Sequence, residues 1–333
     1  MEGVEVRQAM RTLALSCATL VAVGVLGASG PALAETIYVT NEKGNTVSVI
    51  DGQSLEVVKT IPVGERPRGF VMSHDYKTLY ICASDSDEIE AIDLDSGTVS
   101  SLVGTPDPER IDISPDGKFL FASNEDDNLV SVIDIAAQKV IDQIPVGVEP
   151  EGMGVSPDGK YVVNTSETTN MAHVIDIAQK KIVANVLVDP RPRVAMWKKD
   201  ASQFWVSSEI GGTVSVVDAA KFTVLKKISF AVPGLNQEAI QGEGIAFTPD
   251  QKTAFVALGP ANRVAVVDAE TYEVKDYILV GQRVWNITID PAGTRLYSAN
   301  GLSNDVTVID VASLQPIKSI PVGEEPWGAA IRP

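Results

Sequence analysis

A triplet of two apolar residues followed by aspartate recurs seven times, ending at Asp51, Asp93, Asp134, Asp176, Asp218, Asp268 and Asp310. The spacings are 42, 41, 42, 42, 50 and 42 residues. A fixed period of this length means one supersecondary unit repeated in a stack or ring. The fullest copy runs Ser156-Pro157-Asp158-Gly159-Lys160, Tyr161–Asn164, His173–Asp176 and Lys181–Val183. Pro-Val-Gly closes the unit at Pro62–Gly64, Pro145–Gly147 and Pro321–Gly323. Each copy reads as four short strands rich in Val and Ile, parted by turn residues. In the Pro-Asp-Gly turn, proline fixes one φ and glycine accepts a positive one.

Four strands every ~42 residues is the blade of a β-propeller. The strand after Pro-Val-Gly fits the crowded axis. One face carries large apolar groups (Met153, Val155; Ile245, Phe247), the other small ones (Gly152, Gly154; Gly244, Ala246), so large can meet small between neighbouring blades. The repeats open at a second strand, Ile37–Asn41, and close on a first strand, Trp327–Ile331. The expected fold is therefore all-β: a seven-bladed propeller of four-stranded antiparallel blades. The C-terminal strand joins the N-terminal blade and leaves no open inner edge.

The first 34 residues differ from the rest. An uncharged apolar run, Leu13 to Leu26, follows Arg11 and leads to Ala32-Leu33-Ala34 before Glu35. Small residues three and one before a cut suit a signal peptidase, and the run is short for a membrane span. We expect a signal peptide over residues 1–34, translation from Met1 or Met10, and one propeller domain over 35–333 with a periplasmic address and no membrane span after cleavage. An uncleaved anchor is the alternative. Removing Glu2, Glu5, Arg7 and Arg11 leaves the net charge at −17, which argues against nucleic acid and anionic lipid as partners. Cys82 is then the only cysteine, expected to be a small buried hydrophobe.

Tyr38-Val39-Thr40-Asn41 is the tetrapeptide that names the YVTN β-propeller family, and the likeness extends over residues 35–333. With Pro-Val-Gly-x-x-Pro-x-Gly ahead of Ser-Pro-Asp-Gly-Lys, the unit resembles a periplasmic subgroup associated with pyrroloquinoline-quinone-dependent alcohol catabolism. The resemblance implies a non-catalytic accessory factor, with a quinoprotein dehydrogenase or a cytochrome c as partner, and no cofactor of its own.

The chemistry visible in the sequence is sparse. His74 stands where other blades carry Pro115, Pro157, Pro249 and Pro291. His173 stands where they carry Ser48, Glu90, Ser131, Ser215, Ala265 and Thr307. Both read as solvated variants of replaceable positions, and no metal site is expected. The seven repeated Asp residues read as turn formers. The acidic, asparagine-rich loops between second and third strands (Asp85, Asp87 and Glu88; Glu125, Asp126 and Asp127; Asn304 and Asp305) mark the expected interaction face.

One position breaks the regularity. Just before each inner strand the blades carry Arg68, Glu109, Glu151, Arg193, Glu243, Trp285 and Trp327. Two neighbouring tryptophans with charges to either side suit a planar or cationic small molecule, or an anchoring side chain of a partner. An insertion within Phe230–Gly242 enters beside Glu243 as a candidate lid. The expected function is a binding or scaffold protein rather than an enzyme. The alternative is a hydrolase or lyase using Glu109, Glu151 and Glu243 as acid–base groups.

Overall fold

A computed structural model describes residues 35–333. The export leader expected over residues 1–34 lies outside them. Seven sheets of four antiparallel strands follow one another around a ring. Numbered from the N-terminus, blade 1 is composite: Thr36–Asn41, Thr46–Asp51 and Glu56–Pro62 are joined by Pro326–Arg332. The closing pair runs Ile37 opposite Ile331 and Val39 opposite Ala329. Each inner strand touches the next, and Pro326–Arg332 touches both Val284–Ile289 of blade 7 and Pro67–Met72 of blade 2. The circle is closed as the repeat pattern requires.

The core lies between blades. One cluster takes Tyr38 and Ile61 from blade 1, Leu79, Ile81 and Ile92 from blade 2, and Ala330 from the closing strand. The inner strands approach closely enough to require glycine. A Cβ on Gly69 would lie 2.5 Å from the Arg110 Cα of the next blade. Cys82 has no exposure, and burial drives its thiol well above the usual range.

The repeated Asp residues are turn formers, as expected. Asp51 Oδ1 accepts the Gln53 and Ser54 amides at 3.0 and 2.7 Å, and Asp310 Oδ1 accepts that of Ser313 at 2.7 Å. Pro-Val-Gly has a matching role. Its glycine amide donates to a side chain 26 residues on, Gly64 to Glu90 at 2.9 Å and Gly147 to His173 at 3.0 Å, and Gly281 of the related Leu-Val-Gly does so to Thr307 at 3.3 Å. His74 is exposed. His173 is not the solvated residue expected: it is 6% exposed. Its Nε2 accepts from Gly147, so Nδ1 carries the proton to Asn185 Oδ1, 2.6 Å away. Burial, partly offset by Asn185, keeps the ring neutral by lowering its pKa.

Candidate active site at the channel mouth

The residues expected at the mouth are placed there by β-bulges. The pairing of inner with second strand slips between Pro67 and Phe70, Pro108 and Ile111, Pro150 and Met153, Pro192 and Ala195, and Val284 and Ile287. Arg68, Glu109, Glu151, Arg193 and Trp285 lie inside these slips. Trp327 lies in the matching irregularity of the closing pair, opposite Thr40 and Asn41. A bulge frees one residue from strict alternation and re-aims its side chain. Neighbouring blades then fix the backbone. The Thr40, Ser123 and Thr165 hydroxyls donate to the carbonyls of Arg68, Glu151 and Arg193, at 3.2, 2.7 and 3.1 Å.

Five of the seven expected residues form one continuous ion network. Arg68 pairs with Glu109 and, at 3.2 Å, with Glu151. Arg193 reaches Glu151 at 3.2 Å and Glu243 at 3.5 Å. The two tryptophans do not make the shared aromatic site expected of them. Trp327 is 2% exposed, stands edge-on to Phe70 with ring centroids 6.1 Å apart, and has Arg110 over its ring at 4.5 Å. Trp285 is half-buried beneath the Arg283 guanidinium, 3.9 Å from its ring centroid. The inserted segment beside Glu243 is anchored by Phe230, Val232 and Ile240 in the core, and Gln241 binds Arg283.

Of the groups that complete the charged layer, sequence reasoning singled out Glu125, as part of an acidic loop, and missed the rest. Arg66, Asp107, Arg191 and Arg283 stand two residues before the expected positions, in left-handed backbone with φ of 54°, 33°, 58° and 55°. Glu42, Glu125, Glu167 and Glu209 follow the second strands of four blades. Arg66 pairs with Glu109 at 2.8 Å, Arg191 with Glu167 at 3.0 Å and Glu209 at 2.9 Å, and Arg283 with Glu209 at 2.9 Å. Both sets recur at fixed offsets in the repeat, and that was the signal available.

Carboxyls outnumber guanidinium groups here, so the network cannot be fully ionised without uncompensated buried charge. The protonation pattern is uneven. Burial would raise the Glu151 carboxyl, but Arg193 and Arg68 overcome it and hold the group at about 2. Burial dominates at Glu243, pushed up to about 8 against Arg193, and at Glu167, pushed up to about 7. Glu109, without exposure, is raised well above the usual range by burial against the pull of Arg68. Asp107 is raised by burial to about 6. A strongly ionised carboxylate thus lies within one arginine of carboxyls that keep their protons near neutral pH. A cavity of about 160 Å³ opens onto this layer, lined by Glu151, Arg68, Arg193, Arg66, Arg191 and Trp285 among others.

The carboxylate oxygens of Asp107, Glu109 and Glu125 lie within 4.8 Å of one another, the one such set among the described residues. Arg66 and Arg68 already reach Glu109, so a cation would displace guanidinium groups. Among the described residues no helix is long and apolar enough to cross a membrane.

A family model for the Choice-of-anchor I domain matches residues 136–296. A search of curated protein sequences finds no relative of the chain. Solved structures resemble it throughout. Kuenenia stuttgartiensis hydrazine synthase superposes with a TM-score of 0.75 at 22% identity, over 83% of this chain and 92% of that one. Pseudomonas aeruginosa periplasmic gluconolactonase gives 0.75 at 17%, over 90% and 99%. A candidate 6-phosphogluconolactonase from Bacteroides fragilis gives 0.74 at 20%, over 90% and 98%. These likenesses are likenesses of fold. They correct the expectation that the chain is not an enzyme, because structural neighbours include enzymes and the ring offers no argument against catalysis. What this chain shares with all three is the propeller.

Proposed function

We propose that the chain is a hydrolase that opens small hydroxylated lactones at the channel mouth. The observation that carries the reading is the opposed pair beside Arg68: Glu151 held ionised at about 2 and Glu109 raised by burial well above the ordinary carboxyl range. Environments that drive two carboxyls apart are how a site separates base from acid. In the resting site Glu151 is a weak base because Arg193 and Arg68 hold it. As water attacks the lactone carbonyl, the developing oxyanion draws the same guanidinium groups, and Glu151 becomes basic enough to take the water's proton. Collapse of the tetrahedral intermediate breaks the ring C–O bond. The leaving alkoxide takes a proton from Glu109, which is buried behind the Arg66 and Arg68 wall of the cavity, through an intervening water, and the product is a hydroxy acid. The ~160 Å³ cavity suits a single ring.

Two structural neighbours described as lactonases favour this substrate class. The leader expected over residues 1–34, together with the periplasmic lactonase among the neighbours, supports a periplasmic site of action. A quinoprotein dehydrogenase or cytochrome c as partner draws its support from the sequence resemblance, and an oxidation system that generates lactones would sit naturally upstream.

The test is a panel of aldono-lactones, with and without a phosphate, followed by acid release at constant pH. Ring opening faster than the spontaneous rate for at least one member supports the reading. No acceleration across the panel overturns it.

A further inference from the structure

Below the charged layer the inner strands enclose a second cavity of about 330 Å³, lined from every blade of the ring. Pro157, in the turn at the far end of its inner strand, borders it. The cavity therefore extends away from the mouth, toward the opposite face.

Its walls are apolar except at two blades. Where blades 1, 2, 4 and 6 carry Gly328, Gly69, Gly152 and Gly244, blade 3 carries Arg110 and blade 7 carries Asn286. Arg110 Nη2 donates across the channel to Asn286 Oδ1 at 3.0 Å. Asn286 Nδ2 is held in turn by the Trp327 carbonyl at 3.0 Å. Arg110 has no carboxylate within ion-pair distance among the described residues, and its Nε is buried with no partner. Glu151, the carboxylate that most favours its charge, is already engaged by Arg68 and Arg193. The other ionisable group on the wall, Asp112, is occupied: its oxygens accept the Ile113 and Val155 amides at 2.8 and 2.7 Å. A half-buried guanidinium without a counter-ion is costly, and its desolvation lowers its pKa to about 10. The same cavity is lined by Met153, Met196, Trp197 and Ile287.

We propose that this inner channel is a second ligand site, distinct from the lactone-opening mouth, that takes a small organic carboxylate with an apolar body, its carboxylate on Arg110 and its body against Met153, Met196 and Trp197. The volume lies at the lower end for ligand pockets and fits an aryl or short-chain acid. Methionine walls adapt to either shape. The proposal does not depend on the lactone reading, because binding is measured directly.

Titrating the folded protein with benzoate by calorimetry, and by tryptophan fluorescence through Trp197 and Trp327, tests it. Benzyl alcohol, of like shape and no charge, is the control. Saturable benzoate binding, at least about tenfold tighter than benzyl alcohol, is expected from a charge-assisted contact. Arg110→Met should lose that preference while keeping a cooperative melt. Met196→Trp, which fills the cavity and leaves Arg110 in place, should weaken benzoate as well. No saturable benzoate binding by the wild type, or equal affinity in a folded Arg110→Met variant, would overturn the proposal.

Discussion

Glu151 and Glu243 both touch Arg193, yet one sits at about 2 and the other at about 8. Each has a second arginine, Arg68 at 3.2 Å for Glu151 and Arg283 at 3.4 Å for Glu243; the difference is that Glu151 also has the Arg110 charge and a hydrogen bond from Glu109 in its favour, whereas Glu243 has the Glu209 carboxylate against it. This gives stability a definite pH dependence. Glu151, lowered from an unfolded value near 4.5, adds stability as pH rises from about 2 to 4.5. Glu243 and Glu167, raised to about 8 and about 7, hold protons in the fold that the unfolded chain has released, so stability falls as pH rises from about 4.5 to 8. A melting temperature highest near pH 5 is expected, and Glu243→Gln should flatten its decline above pH 6. A melt that rises steadily from pH 5 to 8 would contradict these assignments. The seven mouth residues were legible because the repeat exposes any position that changes chemistry from blade to blade. Their pairing was not. Side-chain reach across the axis depends on bulge geometry, and the arginines nearest the tryptophan rings, Arg110 and Arg283, lie outside the seven.

At the scale of the element, the acidic, asparagine-rich turns have a structural role that their composition concealed. Asn45, Asn128, Asn170, Asn262 and Asn304 sit in left-handed backbone, φ 51–56°. Each Oδ1 accepts the amide of the residue 21 positions on: Arg66, Glu149, Arg191, Arg283 and Glu325. Asp87 does the same for Asp107, 20 positions on, at 2.9 Å. The turn of one blade thus clamps the residue that opens the next inner strand, and several clamped residues are members of the mouth network. Asn tolerates this backbone better than most residues and supplies the acceptor. Asn170→Ala should lose about 1–3 kcal/mol from the missing acceptor and the strained turn together. Denaturant unfolding measures the loss. A change within about 0.5 kcal/mol, the ordinary range for surface substitutions, would remove the clamp from the account.

For the molecule as a whole, the ring was the most legible feature. Repeat count, blade composition and closure all follow from a periodic pattern and the position of its two ends. Removing Trp327–Pro333 strips the inner strand from blade 1 and opens the clusters containing Ile37, Val39, Ala329 and Ala330. Its cost should far exceed that of trimming seven residues from a loop, and a truncated protein melting within a few degrees of the parent would contradict closure. Closure also brings blades 2 to 6 into one charged layer, which is the basis of the functional reading. That reading is tested most directly by following acid release from a lactone the wild type opens, at constant pH, with Glu151→Gln beside it. Arg68 keeps Glu109, and Arg193 keeps Glu167 and Glu243, so the variant should fold. The account predicts a fall of about 100-fold or more in the rate above background. A folded Glu151→Gln protein that opens the lactone as fast as the wild type would contradict it.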